Sequence, residues 1–222
     1  MFVFSSKTQV NKKFRFQELF KLMSADKAVR ADAKVVLSVT LANVLSSDTL
    51  NLPAKGKVKE IYVFDIELSS KTIPALFISA LDKAINLHTI FVLHHDGKEM
   101  LYGAYKERTE KGVKIGKYYA TDWKDQSEQI TVPLDVTSLD EIYKAMIGTL
   151  IPLDAVDEEN TSDFVARYEQ VTKLKKEIDK LQRQVDVEKQ SKRRFELNDE
   201  LKKLKKEMLQ LCKETETSLI VY

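Results

Sequence analysis

Cysteine occurs once, at Cys212, which excludes an internal disulfide framework and a multi-cysteine zinc site and fits a reducing compartment. Long apolar runs are missing too: none reaches the roughly 18 residues that span a bilayer, so no membrane association is expected. Residues 1–4 are mostly apolar but fall far short of the roughly 7–15-residue core of a signal peptide, and a cytoplasmic protein is expected. Charge of one sign is not in excess, with 36 Lys+Arg against 34 Asp+Glu and a net charge of +2 over 222 residues. A polyanion would therefore have to be met by a local patch rather than by the whole surface. No Gly-Lys-Ser/Thr phosphate loop follows the one Gly-x-x-x-Gly pair, Gly112/Gly116, which argues against an ATPase. There is no nucleophile elbow and no His-Glu-x-x-His helix.

Glycine and proline are scarce and unevenly placed. All 6 Gly and all 4 Pro lie between Pro53 and Pro152, whereas residues 153–222 contain neither. This predicts a punctuated globular domain over 1–152, a charged helical region over 153–217 and a strand-like tail, Ser218–Tyr222. In the first part, apolar spacing predicts a helix over Asn11–Met23 with Asn11 as its cap, and a second over Ala31–Leu45. The period then becomes 2 in Glu60–Leu68, a strand with Asp65 and Glu67 at its exit. A helix over Ile73–Ile85 follows, with Leu76, Phe77, Ala80, Leu81 and Ala84 as its inward stripe. Thr89–His95 reads as a strand, and Asp96-Gly97 as a two-residue hairpin turn into the next one. Gly112 marks a second turn, between Tyr102–Arg108 and Val113–Trp123; Ile130–Leu134 forms a short strand, and Ser138-Leu-Asp-Glu141 caps a helix running to Leu150. The fold class is α+β, with a largely antiparallel sheet.

Beyond Ser162 the apolar spacing is that of a coiled coil. Val171, Leu174, Ile178, Leu181 and Val185 form one seam; Leu197, Leu201, Leu204, Met208 and Leu211 form another. The seams are out of phase, and the polar stretch Glu188–Arg194 separates them. Either one long helix changes phase or the chain folds back as a helical hairpin, which the polar break favours. These ten residues are the predicted interaction seam, because an apolar stripe on a charged helix must be buried against something.

Two candidate sites carry chemistry. Asp65 and Glu67 share a strand face, and Asp96-Gly97-Lys98 has the acid-x-lysine form by which nucleases hold a divalent ion and activate water, with magnesium as the implied cofactor. Against this, Asp96-Gly97 serves a turn equally well, and without such a nuclease no cofactor is expected. His94 and His95, adjacent on a strand, point to opposite faces and do not pair on one ion. The second candidate is the stretch 98–124, where basic and aromatic residues interleave. Tyr105, Lys106, Arg108, Lys111, Lys114, Lys117, Tyr119 and Trp123 are its candidates for binding single-stranded nucleic acid, cations on phosphates and rings on bases. The competing reading makes the rings core and the lysines a solvated turn. A further basic cluster, Lys189, Lys192, Arg193 and Arg194, falls at the proposed helical turn.

Several short elements resemble a known family. Thr49-Leu-Asn-Leu52, Glu60–Glu67, Ala80–Ile85, Phe91-Val-Leu93, Ala104-Tyr-Lys106, Pro133-Leu134, Glu196-Leu-Asn198 and Leu201-Lys-Lys-Leu204 are similar to the prokaryotic domain-of-unknown-function family 4391 across nearly the whole chain. The resemblance implies no activity that transfers to residues. It implies an accessory role beside helicases and DNA methyltransferases in restriction-like or phage-defence gene clusters. The expectation is thus a non-enzymatic subunit that docks such a protein or self-associates; the alternatives are a metal-dependent nuclease and a single-stranded nucleic-acid-binding module.

Overall fold

The computed structural model describes residues 2–53, 55–109, 112–126, 130–131, 136–154 and 159–212. They fall into two compact units, residues 1–152 and 153–222. The first is built on a sheet of β2 (Gln9–Lys13), β3 (Val36–Ser46), β4 (Glu60–Leu68), β5 (His88–His95), β6 (Lys98–Thr109) and β7 (Gly112–Ala120), in that spatial order. The two-residue β8 (Lys124–Asp125) also pairs with β6, and β1 (Phe2–Val3) pairs separately with β9 (Ile130–Thr131). Within the large sheet, β4 and β5 are the parallel pair, because α4 (Ala75–Ala84) crosses between them, and the other pairs are antiparallel. This is an α+β fold with a mostly antiparallel mixed sheet.

The Glu60–Leu68 strand, the crossover helix and the Asp96-Gly97 turn form as expected. Asp96 and Gly97 both take positive φ, 48° and 71°, the pair that a type I′ turn requires. One predicted helix is shorter than expected and another is mostly strand. Residues 9–13 are strand β2, and Asn11, with φ 50°, sits in a bulge rather than capping a helix; α1 begins only at Phe16 and ends at Leu22. The predicted Ala31–Leu45 helix is mostly strand β3, preceded by the short α2 (Lys27–Asp32). Two bulges in β3, between Val36 and Ser38 and between Leu41 and Asn43, advance the strand by one residue each. They turn a period of 2 into spacings of three, which imitate a helix. The β-branched Val35, Val36, Val39, Thr40 and Val44 favour the strand.

One face of the sheet carries Phe64, Ile66, Phe91, Leu93 and Tyr102 and packs with Leu19 of α1, Val29 of α2 and Phe77, Ile78 and Leu81 of α4. The inward stripe of α4 is thus shifted from the predicted one, and Leu76 is exposed. α5 (Leu139–Leu150) lies on the opposite face. There Gly103 is required by space: a Cβ would come within 3.2 Å of Ile90 and of Leu150. Ser138 caps α5 by accepting from the Glu141 N–H, as predicted, and the Glu141 carboxylate reaches back to Thr137. The predicted strand Ile130–Leu134 is described only at 130–131, and the 218–222 tail lies outside the described residues.

The second unit is a helical hairpin, α6 (Thr161–Val187) and α7 (Ser191–Cys212), turning at residues 188–190. Asn160 caps α6 by accepting from the Asp163 N–H at 3.0 Å. Arg167 ties the base together: it pairs with Glu159 at 2.8 Å and donates to the carbonyls of Asp154 and Leu211.

Candidate functional site

Strand register decides which of the predicted acids meet. Asp65 and Glu67 lie on the face of β4 that runs, through the pairs Glu67↔His94 and His94↔Glu99, onto β5 and β6. His94 sits between two carboxylates, its Nε2 3.3 Å from Asp65 and its Nδ1 3.4 Å from Glu99. Burial disfavours the charged imidazole, but Asp65, Glu99 and Glu67 outweigh it and raise the His94 pKa above its ordinary value. The cluster joins the three central strands through His94. Lys98 does not join it: Lys98 pairs with His95 in the register, one residue on, and so belongs to the opposite face. Asp96 is held in the β-turn. The structure therefore unites Asp65 with Glu67 and separates them from the acid-x-lysine element. Among the described residues no group of three or more His, Cys, Asp or Glu side chains is arranged to hold a metal ion.

His95 points the other way. It lies 3.1 Å from the Leu68 carbonyl through Nδ1 and meets the edge of Trp123.

The 98–124 stretch divides between core and surface. Lys106 is the clearest departure from expectation. It is 1% exposed, and its ammonium lies 2.7 Å from the Asp82 carboxylate while donating to the carbonyls of Asp82, Ile85 and Leu87 at the end of α4. A buried cation there neutralises the negative end of the helix and satisfies carbonyls that lack intrahelical partners. The same carboxylate accepts hydrogen bonds from Thr89 and Tyr118. Burial lowers the Lys106 pKa against the opposing pull of Asp82, and burial together with Asp82 raises that of Tyr118. Lys106 is thus a structural residue, removed from any polyanion. A strand-period signal marked it: Tyr102, Ala104 and Lys106 alternate onto one inward face. Asp82, at the end of an apolar helical stripe, carried no comparable signal.

The other candidates vary in access. Tyr105 is half-buried and stacks on Tyr143 at 6.2 Å, and Trp123 packs against the core. Tyr119 is half-buried, while Arg108, Lys114 and Lys117 are exposed. Lys114 stands opposite Glu107 in the ladder. Lys111 lies outside the described residues.

The interaction seam closes within the chain. Val171, Leu174, Ile178, Leu181 and Val185 are buried, and Ile178, Leu181 and Val185 cluster with Leu201 and the partly buried Leu197, Leu204 and Met208. Leu211 is half-buried and supplies the carbonyl that Arg167 engages. The fold-back brings the two out-of-phase seams face to face, so this seam is not an open surface awaiting a second copy.

No curated protein and no solved structure matches the chain. A family model does, over residues 6–208, across both the sheet unit and most of the hairpin, and the chain belongs to the family described as "Domain of unknown function (DUF4391)".

Proposed function

We propose that the protein is a non-enzymatic accessory subunit that docks a helicase or DNA methyltransferase in a restriction-like or phage-defence system. The observation that carries this reading is the self-contained hairpin. Two helices of 27 and 22 residues bury one seam against each other, and their lysines and arginines from 173 to 206 are exposed. A hairpin whose seam is closed by its own two helices presents its charged surface to another protein. The family resemblance supplies the class of partner. The nuclease alternative gains less support, since Lys98 and the Asp65–Glu67 pair occupy opposite faces of the sheet.

The test is to purify the tagged protein from its host with added nuclease, then rebuild any complex from purified components. A stoichiometric complex with a helicase or methyltransferase, weakened by substitutions on the outer hairpin faces, is the expected result. Recovery of the chain alone would overturn the reading. So would magnesium-dependent cleavage that disappears in the Asp65→Asn, Glu67→Gln variant, which would establish the nuclease instead.

A further inference from the structure

The hairpin is electrically polarised along its length. Among the described residues at its base, Asp154, Glu159, Asp163 and Glu169 stand against Arg167 alone, whereas residues 173–206 hold thirteen lysines and arginines against seven acids. That distal segment therefore carries an excess of six positive charges, against +2 for the whole chain. All thirteen cations are exposed. The fold concentrates them further, because antiparallel packing doubles back one basic stretch beside the other. Six to nine residues beyond the Arg167–Leu211 contact lie Lys173, Lys175 and Lys176 on α6, and Lys205, Lys203 and Lys202 on α7. On α6, Lys176, Lys180 and Arg183 line one open groove with Asp179, Gln184 and Val187, three cations to one acid. The cations lie on the side away from the Ile178, Leu181 and Val185 seam and span about 10 Å of helix. At the turn, Phe195 is 67% exposed beside Arg193 and Arg194.

We propose that the distal half of this hairpin binds the phosphate backbone of nucleic acid, through the cations of α6 and α7 and not through the β6–β7 hairpin. Charge complementarity selects this occupant. A row of exposed cations on a rod matches a rod of regularly spaced phosphates, and binding releases condensed counterions without reading sequence. An exposed aromatic among the cations at the tip adds a stacking surface for unpaired bases. The inference does not depend on the docking of a helicase or methyltransferase.

Fluorescence anisotropy with the full chain tests it, using a labelled duplex of about 25 base pairs and the matching single strand across a salt series. Binding to either probe should weaken steeply with salt. The Lys176→Gln, Lys180→Gln, Arg183→Gln variant should lose at least about tenfold in affinity at low salt and flatten the salt slope by about 2–3, since each phosphate contact contributes about 0.9 to the slope. Lys202→Gln with Lys203→Gln should weaken binding as well, without disturbing helical content. Arg108→Gln, Lys114→Gln, Lys117→Gln in the β6–β7 hairpin should leave affinity unchanged. The proposal fails if no binding appears at low salt, or if the β6–β7 variant alone abolishes it. It fails equally if the helical variants lose anionic-vesicle binding while nucleic acid is ignored.

Discussion

In the sheet unit a lysine and an aspartate lie wholly out of solvent 2.7 Å apart, whereas every lysine and arginine between Lys173 and Lys206 of the hairpin stands in water. The two regions contain the same residue types under opposite physics. Inside the sheet unit, removing Lys106 and Asp82 from water is costly, and the cost is offset only because each finds several partners: three carbonyls for the ammonium, and Thr89 and Tyr118 for the carboxylate. On the hairpin, a pair such as Lys173–Glu177, 3.9 Å apart with side chains 79% and 46% exposed, is screened by solvent. Charges that hold the fold together are therefore few and buried, and those available to a partner are many and individually dispensable.

Breaking one partner of the buried pair should give the largest effect. Asp82→Ala should destabilise the sheet unit by about 3–5 kcal/mol, because it strands an ammonium in the core. Denaturant midpoints measure this, and Asp82→Leu combined with Lys106→Met should recover much of the loss. Recovery no better than the single variant would show that the pair is irreplaceable for reasons other than charge.

Next comes the seam of the other unit. Leu201 is 4% exposed against Ile178, Leu181 and Val185, and Leu201→Ala should cost about 2–3 kcal/mol, read as earlier thermal loss of helical ellipticity. A variant that melts unchanged would contradict the closed seam.

A smaller effect separates two histidines by sign. His94 has a raised folded-state pKa, so its stabilisation is full below the unfolded value of about 6.5 and is lost as pH rises through the folded value. His88, buried against Tyr143, is held near pKa 4 by burial and by the charge of Lys106. The neutral His88 is favoured by folding, so its contribution is intact above about 6.5 and declines as pH falls toward 4. Unfolding free energies followed through this range should show both declines, with His94→Gln removing the alkaline one and His88→Phe the acidic one. The smallest effect belongs to the hairpin surface: Lys173→Ala should change stability by less than about 0.5 kcal/mol in the same assay.

The errors of sequence reading follow the same division. Where side-chain periodicity meets water on one side, as in the two helical seams, spacing alone identifies the residues that pack together. Where the backbone is bulged, as in β2 and β3, the periodicity is corrupted and a strand has helix-like spacing. Local composition makes Lys106 read as a surface cation, whereas its place in the strand alternation points inward. Strand alternation puts Asp65 and Glu67 on one face, but the companions of that face, His94 and Glu99, come from strands whose register no local pattern specifies.

By itself the sequence determined the punctuated sheet unit, the unpunctuated helical region, the Asp96-Gly97 turn and the apolar seams, all of which depend on neighbours within a few residues. Only the tertiary structure decided that the seams close on each other, that Lys106 serves Asp82, that His94 bridges Asp65 and Glu99, and that two basic stretches combine into one arm. The physical reason is distance along the chain. Each of those outcomes joins residues from different elements, and which elements meet is set by the packing of the whole chain rather than by the propensities of any segment.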